Sequence, residues 1–328
     1  MLKKVEITNF KNFNETFTFD LSDTKNFEFN QEAVKDGIVT KALVYGQNGC
    51  GKSNLGLAIF DMVSHLTDNQ ISKDKYLNYL NADSAETRAI FRFTLLFEGI
   101  EVIYEYAKKD YQMLISEKLT IDNKEVIFID REESTKFRVE FEGAEHLKSN
   151  VGDSNISVIS YVAKNTILND NLINKVFNDF RVFVSNMLLF KNLDENLYIG
   201  QERGLQYVDD YIIRKNKLSD FENLLNKIGI KFKLKSKEID GRMEIISIFK
   251  NKEIVFDEVI SSGTYALGIF YFWYLKMQEK KISFVFIDEF DAFYHHDLSR
   301  LVIEMLKELT DTQIILTTHN TSNISNDL

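Results

Sequence analysis

Gly46, Gly51, Lys52 and Ser53 stand in the run YGQNGCGKSNLGLAIF, residues 45–60, with four residues separating Gly46 from Gly51. That spacing suits one chemistry. Glycines let the backbone curl until successive N–H groups face phosphate oxygens, a lysine places a compact positive charge on the outer phosphates, and the hydroxyl that follows ligates Mg²⁺. Gly46, Asn48, Gly49, Cys50, Gly51, Lys52, Ser53 and Asn54 are therefore expected to hold a triphosphate, with Ser53 on the metal. The context agrees. An apolar run, IVTKALVY, leads into the loop, and Leu55, Ala58, Ile59, Met62, Val63 and Leu66 fall on one helical face after it.

Three further segments end in residues that complement such a loop. FVFIDEFDAF (284–293) is an apolar run ending in Asp288 and Glu289. Hydrolysis by in-line attack needs one carboxylate in the metal shell and another that orients water, so Asp288 is assigned to Mg²⁺ and Glu289 to the water. Without the loop, the pair would be two acids solvated at a strand end. EVISSGTYALGIFYFWYLKM (258–277) places Ser261, Ser262, Gly263 and Thr264 before an apolar helix. Small residues at a helix N-terminus suit an anion, and Ser and Thr are equally the commonest ordinary caps. His319 closes IILTTHN; there it can hydrogen-bond a terminal phosphate or the attacking water, although a lone histidine after a strand is more often structural.

Four apolar runs predict the strands that must carry these groups: 38–45, 155–163, 282–289 and 312–319. Near-continuous β-branched and aromatic runs mark strands covered on both faces. In open α/β sheets ligands sit at the carboxyl ends of the strands, so Gly46, Asp288, Glu289, His319 and Lys164 are expected to meet at one edge. Alternating segments from 87 to 133 predict an antiparallel meander, residues 1–20 add two strands, and 166–228 shows helical spacing. A hairpin turning at Asp240-Gly241 follows.

Composition narrows the function classes. The 328 residues, 44% hydrophobic, suffice for a sizeable core, and no apolar stretch reaches membrane-spanning length. A cytoplasmic protein is expected. The single cysteine, Cys50, excludes an internal disulfide and a cysteine metal site. A net charge of −10 gives no global field for nucleic acid. Lys231, Lys233, Lys235 and Lys237, at period two, form a local row that would track a phosphate backbone or, the commoner case, solvate one face of a hairpin.

The order of these motifs, NFKNF, YGQNGCGKSN, SSGT, IDEFDAFYHH and TTHN over residues 9–320, resembles the ABC-type ATPase head. It is most similar to the branch that contains RecF, the structural-maintenance-of-chromosomes heads, the OLD nucleases and the small abortive-infection ATPases of the AAA family. The resemblance implies an α/β P-loop NTPase with a mostly parallel core sheet, an antiparallel β subdomain and a helical lobe. It divides the chain into a nucleotide-binding lobe (1–165), a helical lobe (166–230) and a segment completing the same head (231–328). It implies ATP and Mg²⁺ as ligands, Ser261 and Gly263 as signature residues, Asp291 as a loop residue crossing a dimer interface, and His319 as the switch histidine. Two departures stand out. The glutamine usually delivered by the third core strand is replaced by Lys164 or Asn165, and the chain stops nine residues after His319, which is read as a truncated C-terminus.

The function this resemblance implies is an ATP-dependent switch that dimerises on ATP and regulates a protein effector, in phage defence by abortive infection. The alternative is a RecF-like repair ATPase clamping DNA. A non-hydrolysing regulator fits poorly with intact Asp288 and Glu289, and membrane transport fits least.

Overall fold

In the computed structural model, which describes residues 1–25, 30–69, 73–150, 154–191, 198–201, 207–292 and 294–321, β1 (Leu2–Thr8) pairs antiparallel with β2 (Phe17–Asp20). The two-residue strands β3 (Val34–Lys35) and β4 (Ile38–Val39) precede β5 (Lys41–Tyr45), which runs into the glycine-rich loop. Helices α1 (Lys52–Phe60) and α2 (Val63–Leu66) follow. The meander appears as β6 (Ala89–Phe97), β7 (Ile100–Lys108), β8 (Leu114–Ile121), β9 (Lys124–Asp130) and β10 (Arg138–Val139), joined in one sheet of order β10-β9-β8-β7-β6-β1-β2. Its tight turns use positive φ at Glu98-Gly99 and Asp122-Asn123, the conformation that two-residue hairpin loops demand.

Next come α3 (Val158–Asn165), α4 (Leu172–Ser185), β11 (Met187–Lys191) and β12 (Tyr198–Gly200). Helices α5 (Val208–Arg214) and α6 (Leu218–Lys227) lead to a three-stranded sheet of β13 (Leu234–Ile239), β14 (Arg242–Ile248) and β15 (Glu253–Val255). The chain returns through α7 (Ser262–Gln278), β16 (Phe284–Asp288), α8 (His296–Lys307) and β17 (Gln313–Thr318). The core sheet has the order β12-β11-β16-β17-β5, parallel throughout except for β12.

This sheet separates two hydrophobic cores. Successive residues of a strand point to opposite faces, so Phe284, Phe286, Leu189 and Ile315 join α1, α4 and the meander, whereas Val285, Ile287, Leu188 and Leu316 join α5 to α8. Helix α1 lies close on the sheet because Gly56 has no side chain; a Cβ there would strike the Phe286 ring. Helix α7 is buried on nearly all sides, as an apolar sequence without a polar stripe requires.

Two elements differ from the sequence expectation. Residues 155–163 were expected to form a core strand, but Val158–Asn165 is a helix. Ser157 caps it by accepting the Ser160 N–H, and Val158, Ile159 and Val162 bury one face only, while the first turn donates from Val158 N to the buried Glu117 carboxylate at 2.7 Å. A β-branched run thus reads as strand until its cap is weighed. The third parallel strand is instead β11, cut from the run NMLLF that continues the helical spacing of α4. Lys164 accordingly leaves the sheet edge and pairs with Asp68 at 2.7 Å, and Asn165 Nδ2 donates to Tyr161 O at 2.8 Å.

The far end of α1 is tied to the meander by a fully buried ion pair. Asp61, the C-cap of α1, meets Lys108 of β7 at 2.8 Å, both side chains at 0% exposure. Tyr106 OH donates to the same Asp61 oxygen at 2.9 Å, and Lys108 Nζ also donates to Ser64 Oγ at 2.7 Å.

Candidate nucleotide-binding site

The site grows from the end of β5. Gly49 (φ 81°) and Gly51 (φ 105°) turn the chain through conformations that a side chain would strain, and Gly51 also lies so near the Asn12 amide that a Cβ there would displace it. Asn12 is held against the loop, accepting from Asn54 Nδ2 at 2.7 Å. Gly51 gives α1 no side-chain cap, so the first amides of the helix face outward without an intrahelical partner. The Lys52 ammonium folds back onto the loop, donating to Gly46 O at 2.6 Å and Gln47 O at 3.0 Å, with Cys50 Sγ at 4.0 Å.

Asn48, Gly49, Gly51, Lys52, Ser53 and Asn54, together with Glu289, line one open pocket of about 180 Å³. Beneath it the loop is joined to the strand ends. Ser53 Oγ donates to Asp288 Oδ2 at 2.6 Å, and Thr317 Oγ1 donates to Asp288 Oδ1 at 2.7 Å. The same Thr317 hydroxyl accepts the Glu289 N–H at 2.8 Å, and Phe290 N donates to Thr317 O at 3.1 Å. Glu289 sits in the left-handed region (φ 50°), a conformation costing about 1 kcal/mol or more for a residue with a Cβ. The Thr317 bond helps to hold that turn. It carries Glu289 out of the strand, where Lys191 of β11 approaches its carboxylate at 3.6 Å.

The remaining sequence candidates fall elsewhere around this edge. His319 is exposed just past β17, the neighbour of β16. Asp291 is buried and accepts from Thr318 Oγ1 at 2.7 Å. Ser261 is the N-cap of α7, accepting the Thr264 N–H at 3.3 Å, with Gly263 in the first turn; neither lines the phosphate-loop pocket of its own chain. Three residues of the site were missed by sequence reasoning: Asn12, Thr317 and Lys191. Thr317 had a signal, a hydroxyl inside the apolar run IILTT, and Lys191 ends the run MLLFK opposite Asp288 in register.

The donor set fits Mg²⁺ better than a metal needing a protein cage. Mg²⁺ takes hard oxygen ligands, retains waters and is commonly bound by one or two protein groups plus substrate phosphates, and a hydroxyl and carboxylate already 2.6 Å apart supply that pair. Among the described residues no group of three or more His, Cys, Asp or Glu is arranged as a metal site.

A phosphate loop at the end of one strand, an Asp-Glu turn on another and a helical layer on each side of a mostly parallel sheet define a P-loop NTPase with an ABC-type head. The family model described as AAA domain, putative AbiEii toxin, Type IV TA system matches residues 41–325. The chain belongs to that family, one of nucleotide-binding ATPases. Among solved structures, the SMC head domain from Thermotoga maritima is similar at 15% identity and a TM-score of 0.45, over 99% of this chain and 91% of that one. An SmcHead bound to the C-winged helix domain of ScpA is similar at 16% identity and a TM-score of 0.49, over 99% and 92%. No curated protein matches the chain. Among the described residues no helix is long and apolar enough to cross a membrane.

Proposed function

We propose that this chain binds and hydrolyses ATP with Mg²⁺, that two copies close on shared nucleotide, and that closure regulates a protein effector in the cytoplasm, in phage defence by abortive infection. The observation that carries the proposal is the chain of bonds from Ser53 through Asp288 and Thr317 to Glu289, which fixes the loop hydroxyl, the metal-binding carboxylate and the water-orienting carboxylate relative to one another. Membership of a family described as a putative toxin of a Type IV TA system supports the effector role.

Each group has a task within this proposal. Lys52 exchanges the Gly46 and Gln47 carbonyls, which it now holds, for phosphate oxygens of higher charge. Ser53 and Asp288 hold Mg²⁺, whose bound charge offsets that of the phosphates. Glu289, turned off the strand end, orients water for in-line attack, and Lys191 steadies its carboxylate. Ser261 and Gly263, remote from their own loop, serve the nucleotide of the second copy, with His319 and Asp291 at the edge between the two. The DNA-clamp alternative rests on the lysine row alone; there Lys235 is paired with Glu253 at 2.6 Å and Ile230, Phe232 and Leu234 pack inward, as on a solvated hairpin face.

Phosphate release with Mg²⁺ and ATP tests the site. Lys52→Ala is expected to lose binding, and Glu289→Gln to bind ATP while turnover falls by roughly a hundredfold, the scale of general-base removal. Unchanged turnover in Glu289→Gln would remove Glu289 from the chemistry.

A further inference from the structure

A second cavity, of about 120 Å³, lies between α5, α6, β14 and the first two turns of α7. Its walls include the rings of Phe221, Phe256 and Tyr265, and three carboxylates line it: Asp209, Glu244 and Asp257. Carboxylates gathered on one aromatic-walled space repel one another unless a cation joins them. None of the three has an ion pair among the described residues.

Asp209 is the informative member. It is 7% exposed, and one oxygen, Oδ2, accepts the Ile245 N–H at 2.9 Å. The other oxygen has no hydrogen-bond partner among the described residues, yet the side chain borders the cavity. Burial and the nearby charges of Asp257 and Glu244 push its carboxyl up to about 7. Its second oxygen borders the cavity while the first is held by Ile245, so a donor entering there meets a carboxylate already fixed in place.

The chemistry of that occupant follows from the walls. A divalent metal is disfavoured, because these side chains form no metal-binding group. A nucleotide or other ligand of drug size needs several times this volume. An aromatic wall beside carboxylates suits an organic cation, a guanidinium above all, which stacks on rings and donates to carboxylates in one plane. The chain shows the first half of this at the same cavity: Tyr207, another lining residue, carries the Arg242 guanidinium 4.3 Å from its ring centroid.

We propose that this acidic, aromatic cavity at the base of α7 is a recognition pocket for a single arginine side chain of a protein partner. The guanidinium donates to Asp209 and Glu244 and lies against the ring of Tyr265. Occupancy bears on the first turns of the helix capped by Ser261. The proposal stands apart from ATP hydrolysis, since it concerns binding to residues outside the phosphate-loop pocket.

The test uses the whole chain and a blocked arginine, N-acetyl-arginine methylamide, followed by the methyl resonances of Val208, Ile260 and Ile269, which line the cavity. A saturable shift is expected with the arginine probe and none with the uncharged citrulline analogue. Asp209→Asn, which can still accept the Ile245 N–H, and Glu244→Gln should each weaken the arginine probe about tenfold, the scale of one charged hydrogen bond. Equal shifts with citrulline, undiminished binding in both variants, the absence of a saturable shift, or saturation of the same methyls by Mg²⁺ alone would each overturn the assignment.

Discussion

Lys108→Met isolates the buried pair that ties the end of α1 to the meander. In the native chain Asp61 Oδ2 receives Lys108 at 2.8 Å and the Tyr106 hydroxyl at 2.9 Å. Its other oxygen is buried without a hydrogen-bond partner, and the Tyr79 hydroxyl, though close enough to feel its charge, does not meet it at bonding geometry. Methionine fills the lysine's volume but leaves a carboxylate at 0% exposure with one neutral donor. Breaking one side of a buried pair costs about 3–5 kcal/mol. The cost is set near the middle of that range, about 4 kcal/mol, because Tyr106 remains and no second cation replaces the lost one. That is a large fraction of the typical 5–15 kcal/mol of a folded domain. Urea unfolding followed by both circular dichroism and the fluorescence of Trp273, which lies in the other core, measures it and checks that both cores unfold together. Asp61→Leu with Lys108→Met should recover most of the loss, since an apolar pair replaces an ionic one at little net cost. A single-variant loss under about 1 kcal/mol, or a double variant no better than the single, would refute the reasoning.

Gly51→Ala is expected to destabilise by about 2 kcal/mol, combining a left-handed backbone (φ 105°) with crowding by Asn12. Adding Asn12→Ala should return only the crowding share, which urea midpoints would separate. Asp209 yields a pH dependence. Its carboxyl is raised to about 7, so between roughly pH 4 and 7 the unfolded chain has lost a proton the folded chain retains, and the stability it contributes falls as pH rises through that window. Asp209→Asn removes the fall and should gain on the native chain by up to about 4 kcal/mol at pH 8, from some three pKa units at about 1.4 kcal/mol each. A difference between the two proteins that is the same at pH 4 and pH 8 would exclude this linkage.

Much of the fold was legible because its signals were local. The alternation of residues 89–130 fixed the meander, and Asp240-Gly241, both at positive φ, marked the hairpin turn. The loop of residues 46–53 and the Asp288-Glu289 strand end were visible because a phosphate site and a parallel strand each constrain consecutive residues. What escaped depended on partners distant in sequence. NISVISYVA carries strand-like residues, and its helix rests on Ser157 and on Glu117, forty residues upstream. MLLFK reads as more of α4 until Met187–Lys191 is seen paired with β16. That exchange of strand and helix moved the charged residue at the sheet edge from Lys164 to Lys191. Asn12 acts through one side-chain hydrogen bond to the loop and Thr317 through its hydroxyl and carbonyl bonds to the Asp-Glu turn, for which a linear pattern holds no periodic mark.

The central claim, that nucleotide closes two copies of this chain on one another, is tested most directly by the mass of Glu289→Gln in solution, measured by light scattering with and without Mg²⁺ and ATP. The account predicts a rise on adding ATP from the 38.3 kDa of one chain to twice that, because the Ser261 cap lies outside its own phosphate-loop pocket and, in the proposed function, serves the nucleotide of a second copy. Ser261→Arg in the same background should still bind ATP yet keep the monomer mass. A Glu289→Gln protein that stays monomeric in saturating ATP, or a double variant that dimerises as well as its parent, would contradict it.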